Sequence, residues 1–222
     1  MSLAGVAKET VEIVERCTYT CPSGQLVSIR ASVDAALAGT VLYRPDDLAG
    51  LARPTGGGAA PRIEVWADST AGAARRLAGA GPVAALCFAS AKNPGGGFLG
   101  GAKAQEEDLA RCSALYHCLR TQREYYDVHR ADDSMLYTDH MIYAPAVPFF
   151  RDDRLELLER PFLLSILTSP APNAGEASRQ GRNEGGRVNA VLEARAATPG
   201  PFVVEAEACE HPTLLEHRGA RG

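Results

Sequence analysis

The 222-residue sequence has no apolar run approaching the ~20 residues that a membrane span requires. It also lacks a signal-peptide core, because Lys8, Glu9, Glu12 and Glu15 interrupt the N-terminal region before an apolar stretch can form. Cysteine is sparse and scattered: Cys17, Cys21, Cys87, Cys112, Cys118 and Cys209. Cys17 and Cys21 are separated by three residues, but no third ligand follows at metal spacing, so no metal site is expected. Free thiols in a reducing cytoplasm are the expectation. Positive charge is also short: 23 Lys and Arg stand against 27 Asp and Glu, a formal net charge of −4. That argues against broad coating of nucleic acid, which needs many basic contacts, and no direct nucleic-acid binding is expected. It leaves room for a local anion site built from backbone N–H groups, which carry no formal charge. A domain of this length buries roughly 70% of its unfolded surface, so no covalent staple is required. No internal repeat is present.

What the chain does contain is an alternation of helix and strand patterns. Residues 6–15 have helical spacing, with Val6, Val11 and Val14 apolar among charged residues. Residues 24–29 and 40–43 read as strands, with a short helix between them capped by Ser32 and ending near Gly39. Pro45-Asp46-Asp47 is a turn signal, and residues 53–61, with Gly56-Gly57-Gly58, read as a surface loop. Residues 63–66 alternate like a strand, and residues 70–78 read as a helix with Arg75 and Arg76 outside. Residues 83–90 are continuously apolar, as in a strand buried on both faces. A single strong helix is predicted over 105–123, with Leu109, Cys112, Leu115, Tyr116 and Leu119 as its buried stripe. Its Cys112, His117 and Cys118 share no face, which speaks against a metal there. Two β-like pieces flank Asp139 within 136–149, and Asp139-His140 reads as structural. Strands at 162–168 and 202–204 and a helix at 188–196 complete the pattern. Strands alternating with helices imply a three-layer α/β/α fold with a central sheet.

The segment from Ser90 to Asp108 carries the chemistry. Five glycines lie within residues 95–101, between a buried strand and an amphipathic helix. Ligands in open α/β sheets sit at such strand ends. Glycines let a backbone approach a ligand closely and turn its N–H groups toward it. A loose linker would rarely follow a fully apolar strand and end in Glu106-Glu107-Asp108. A P-loop is excluded, because no Gly-Lys-Ser/Thr closes the loop, and a dinucleotide fingerprint is excluded by the glycine spacing. Acids in a first helical turn are commonly explained by the helix dipole alone. Beside an anion site, however, surplus negative charge would oppose binding, so these acids point to chemistry.

Gly95-Gly96-Gly97, seven residues and then Gln105-Glu106-Glu107 resembles the signature of poly(ADP-ribose) glycohydrolases, and Asn93-Pro94 and Phe98 resemble its bacterial-type branch. The resemblance runs from about residue 9 to about residue 178 and takes in Tyr43-Arg44-Pro45-Asp46, residues 139–145 and 168–173. It implies a macrodomain-like fold with a mixed sheet. Residues 1–60 would be an N-terminal extension packed on a catalytic domain of 61–222 that is atypical after about 192. It implies exo-type hydrolysis of ribose–ribose bonds with release of ADP-ribose, without a cofactor. Partners would be ADP-ribose, its polymer and ADP-ribosylated proteins, in the reversal of ADP-ribosylation that accompanies the DNA damage response. Glu107 would be the catalytic acid/base and Glu106 would bind ribose hydroxyls. Gln105 would hold the carboxylates and substrate, Asn93 would contact the terminal ribose, and Gly95, Gly96 and Gly97 would wrap the diphosphate side. Phe98 completes the substrate-binding set. The residue types suit the reaction: glycosidic cleavage passes through an oxocarbenium-like state, and one carboxyl can protonate the departing oxygen and later take a proton from water.

The family pattern has a second glycine-rich loop after a C-terminal strand, then a closing helix. Here the strand candidate 202–204 is followed by Glu205-Ala206-Glu207-Ala208-Cys209-Glu210, with no glycine before Gly219. Glu205, Glu207 and Glu210 are poor replacements for phosphate-binding N–H groups. The expectation is a divergent or frameshifted end on an otherwise standard enzyme. The alternative is a macrodomain that holds ADP-ribose or its polymer without turnover.

Overall fold

In a computed structural model of the chain, residues 1–49, 64–132, 136–172, 190 and 202–204 are described. The glycine stretch at 56–58, the helix expected at 188–196 apart from residue 190, and the acids at 205, 207 and 210 lie outside the described residues. Helix α1 (Leu3–Arg16) starts at Ser2, whose hydroxyl accepts from the Gly5 N–H, and stops at Cys17 in the left-handed region. Strands β1 (Thr18–Thr20) and β2 (Leu26–Ser28) form a small antiparallel pair. Then come α2 (Arg30–Gly39), β3 (Val41–Tyr43) and α3 (Pro45–Ala49). Ser32 is inside α2 and not its cap; the cap position is Ile29, which makes no side-chain capping bond. The turn expected at Pro45 is a one-turn helix, closed by the Arg44 N–H donating to Asp47 Oδ2; proline at a first helical position suits that start.

Helix α4 (Thr70–Leu77) follows, with Arg76 outside, bonded to Asp68 and lying over the Trp66 ring. Residues 64–66 are not a strand: Val65 is 93% exposed, so the alternating pattern finds no sheet to join. Strand β4 (Ala84–Ala89) is buried as its apolar run predicts. The helix predicted over 105–123 is two helices, α5 (Gln105–Cys112) and α6 (Leu115–Arg120). It breaks at Ser113, whose backbone is extended and bridges to Phe149, while the Ala114 N–H donates to the Pro148 carbonyl. Cys112 is therefore not on the same helix as His117 and Cys118. Helix α7 (Arg123–Ala131) has no counterpart in the sequence reading.

Strands β5 (Met141–Arg151) and β6 (Leu157–Pro170) are both longer than expected, and residues 136–140 are not strand. The two pieces expected in β5 are one strand with a register shift between Ala144 and Val147, at Pro145. The short strand β7 (Phe202–Val204) is present. The main sheet has the order β3-β5-β6-β4-β7: β3, β5 and β6 are antiparallel neighbours, while β6, β4 and β7 run parallel. The expected mixed sheet is thus observed, and its first strand lies before residue 60.

One face of the sheet, with Ala85, Cys87, Ile142 and Ile166, shares a core with Ile13 and Val14 of α1, Val33 of α2, Leu109 of α5 and Tyr125 of α7. The other face gathers Leu86, Met141 and Leu167 against Leu48 of α3. The site lies where β4 ends: parallel β6 runs beside it as far as Ala89, while β7 pairs with its first half at Ala84–Leu86, and α5 packs against β4.

Candidate active site

The loop after β4 is built from internal bonds. Ser90 Oγ accepts from the N–H groups of Lys92 and Asn93 at 3.3 and 3.1 Å. The Gly96 N–H donates to Asn93 O and the Phe98 N–H to Gly95 O, each at 3.0 Å. Gly95 and Gly96 have φ of +69° and +56°, a region that side-chain-bearing residues rarely enter. A short 3₁₀ turn, Phe98–Gly100, leads to Gly101 and so to α5.

Two of the three acids of α5, Glu106 and Glu107, are buried and held by this loop. Glu106 accepts from the Ser90 N–H at Oε2, 2.7 Å, and from the Gly95 N–H at Oε1, 2.9 Å. Glu107 accepts from the Gly97 N–H at Oε1, 2.9 Å, and its Oε2 has no partner among the described residues. Burial pushes Glu106 up to about 8, and the neighbouring Glu107 adds to the rise; the bonds from Ser90 and Gly95 pull the other way. Desolvation wins because the carboxyl is only 3% exposed. Glu106 is therefore largely neutral near pH 7, with a proton of its own to donate. The Tyr126 hydroxyl is also pushed up, by burial first and then by the Glu106 charge.

The structure brings Gln105, Glu106, Glu107 and the glycine triplet together, but it gives several of them other work than the resemblance implied. The N–H groups of Gly95 and Gly97 point at the two acids and that of Gly96 at the loop itself, so the triplet is a carboxylate cradle before it is a phosphate cradle. Gln105 touches neither carboxylate. Its Oε1 accepts from the Phe88 N–H and its Nε2 donates to Leu86 O and Thr70 Oγ1, each at 3.1 Å, fastening α5 to β4 and α4. Asn93 is exposed at the loop edge, as a ligand contact requires.

Phe98 corrects the sequence reading more sharply. It is 1% exposed and packs with Ala7 and Val11 of α1, Ala110 of α5 and Tyr116 of α6, its ring centroid 4.9 Å from that of Tyr116. It anchors the loop inward, buried among α1, α5 and α6. Sequence reasoning missed Ser90, whose N–H and hydroxyl both organise the loop, and Thr70, which seats Gln105. Neither carries a spacing signal.

Among the described residues no group of three or more His, Cys, Asp or Glu is placed to hold a metal ion, and no helix is long and apolar enough to cross a membrane. Cys17, Cys21, Cys87, Cys112 and Cys118 are buried, and among the described residues no disulfide joins them.

The family described as microbial-type PARG, catalytic domain, matches residues 7–152. Among solved structures, poly(ADP-ribose) glycohydrolase from Thermomonospora curvata is 48% identical with a TM-score of 0.82, over 88% of this chain and 73% of that one. The protein from the same organism bound to the inhibitor ADP-HPD matches at 48% identity and a TM-score of 0.80, over 88% and 72%. Poly(ADP-ribose) glycohydrolase from Deinococcus radiodurans in complex with ADP-ribose is 44% identical with a TM-score of 0.67, over 74% and 67%. No curated protein matches the chain.

Proposed function

The chain belongs to the microbial-type poly(ADP-ribose) glycohydrolase family, and on that premise we propose that Glu107 moves the proton of the hydrolysis while Glu106 holds ribose hydroxyls beside it. The fold is macrodomain-like, and the reaction is hydrolysis of ribose–ribose O-glycosidic bonds in poly(ADP-ribose).

One contrast supports this division of roles. Glu106 is bound at both oxygens, so it is fixed in place, whereas Glu107 is bound at Oε1 only and keeps Oε2 for a reacting atom. In the forward step Glu107, when it carries the proton, passes it to the departing ribose oxygen as the bond to the anomeric carbon breaks. The resulting carboxylate then takes a proton from the water that attacks that carbon, which restores the acid. Glu106, neutral at its raised pKa, can both donate to and accept from a sugar hydroxyl.

The reading extends to exo-type release of ADP-ribose, with Asn93 at the terminal ribose. ADP-ribosylated proteins are the carriers of the polymer, and reversal of the mark in the DNA damage response is the setting. Five buried cysteines outside any disulfide among the described residues support a reducing, cytoplasmic location. The decisive experiment is incubation of the purified chain with labelled polymer: ADP-ribose should appear. Binding of polymer without release would sink the assignment of roles and leave a holding module.

A further inference from the structure

Arg111 is the largest fully buried side chain among the described residues, and no sequence motif singles it out. It lies on α5 one turn beyond Glu107. Its Nη1 donates to the Ala102 carbonyl at 2.7 Å, and its Nη2 pairs with Asp108. The Ala102 N–H donates to Gly97 O at 3.2 Å, and the Gly97 N–H donates to Glu107 Oε1 at 2.9 Å. These bonds form a closed circuit that leaves α5 at Arg111, runs through Ala102 and Gly97, and returns to α5 at Glu107. The backbone of Arg111 is itself fixed, because its carbonyl accepts from Thr10 Oγ1 of α1 at 2.7 Å.

A buried guanidinium is costly to desolvate, and this one leaves Nε without a partner among the described residues. Asp108 does not explain its burial, since that side chain is 64% exposed and would be satisfied by water. The bond that burial secures is the one to Ala102 O. Holding that carbonyl anchors Ala102, whose own N–H, on the other side of its Cα, donates to Gly97 O, and the N–H of Gly97 in turn faces Glu107.

We propose that Arg111 is a positioning residue for the reaction: acting through Ala102 and Gly97, it fixes the Oε1 edge of Glu107 and so leaves Oε2 toward the scissile bond. The inference rests on Glu107 as the group that moves the proton. Arg111 touches no substrate, and its effect belongs to kcat.

The test compares Arg111→Met with the parent chain by polymer hydrolysis and by the amide resonance of Gly97, which a bond to a carboxylate displaces downfield. In a folded Arg111→Met the Gly97 resonance should move toward its position in Glu107→Ala. At the same time kcat should fall by about 10- to 100-fold, the scale of a misplaced reacting group, while KM stays within about twofold. An unmoved Gly97 resonance or an unchanged kcat overturns the proposal. Should Arg111→Met not fold, Arg111→Lys carries the test. Its ammonium is a single point donor that cannot grip Ala102 O and Asp108 in one fork, so the same changes should appear at smaller size; a fully parental resonance and rate overturn the proposal. Full turnover in Glu107→Gln would instead sink the role given to Glu107, because the Gly97 resonance reports on the circuit without reference to turnover.

Discussion

Gly96 and Glu107 occupy adjoining space so closely that a side chain at Gly96 has to displace the acid: a Cβ there would collide with Glu107 Oε1 and stand 3.2 Å from Glu106 Oε2. The middle glycine of the triplet is thus required by the protein's own acids, even with no ligand in the site. Its φ of +56° adds a second, independent reason.

Gly96→Val should therefore lose both stability and activity. The left-handed backbone costs a side-chain-bearing residue about 1–2 kcal/mol, and the displaced Glu107 should lower polymer hydrolysis by about 100-fold or more. Thermal melts and rate measurements on the same preparation check this. A variant with parental melting and rate would show that the loop yields without moving the acid.

Glu107→Gln keeps an oxygen for the Gly97 N–H and removes only the proton chemistry. Turnover should fall by roughly 10²–10⁴-fold, with calorimetric affinity for ADP-ribose within a small factor of the parent. Turnover at the parental level would remove Glu107 from the role of acid and base.

Stability should depend on pH through Glu106. Its folded value, about 8, lies above the ordinary 4.5, so between these two the folded chain binds a proton that the unfolded chain has released. The contribution is fully present below the ordinary value and is lost as pH rises through the folded one, at up to about 1.4 kcal/mol per pH unit. Denaturant midpoints should decline from mildly acidic to alkaline pH, and Glu106→Gln should flatten that decline. An equal slope in parent and variant would place the buried proton elsewhere.

Phe98→Ala separates an anchor from a substrate contact. Emptying the space between Ala7, Ala110 and Tyr116 should cost about 3–5 kcal/mol, and activity should fall with it because the loop that bears the Gly97 N–H loses its inward hold. A loss of ADP-ribose affinity with unchanged melting would restore the substrate-facing reading.

The sequence makes the strand at the site legible, because a six-residue strand buried on both sides has to be apolar throughout, and β4 is. It also makes the acids legible, because three carboxylates after a glycine loop are hard to explain as dipole partners alone. What it hides are choices made by distant chain. Phe98 could face a ligand or the core, and only Ala7 and Val11, some ninety positions away, decide. Ser113 sits within an unbroken helical pattern, and the break comes from pairing with Phe149. The pattern at 64–66 suggests a strand, but period alone says nothing about whether a neighbour is present. Gln105 looks like a partner for its adjacent acids, yet its amide is claimed by β4. In each case the local signal is sound and a contact remote in sequence overrides it.

The donors that grip the two acids are peptide nitrogens, at Ser90, Gly95 and Gly97. A missense change exchanges a side chain and leaves its peptide nitrogen in the chain. Outside the three glycines and Ser90, whose hydroxyl also holds the loop, residues 90–97 can therefore drift in identity without loosening that grip. The cradle's vulnerable points are a different class of lesion: a one-residue insertion or deletion, which shifts every donor out of phase, and proline at a donor position, which deletes the hydrogen itself.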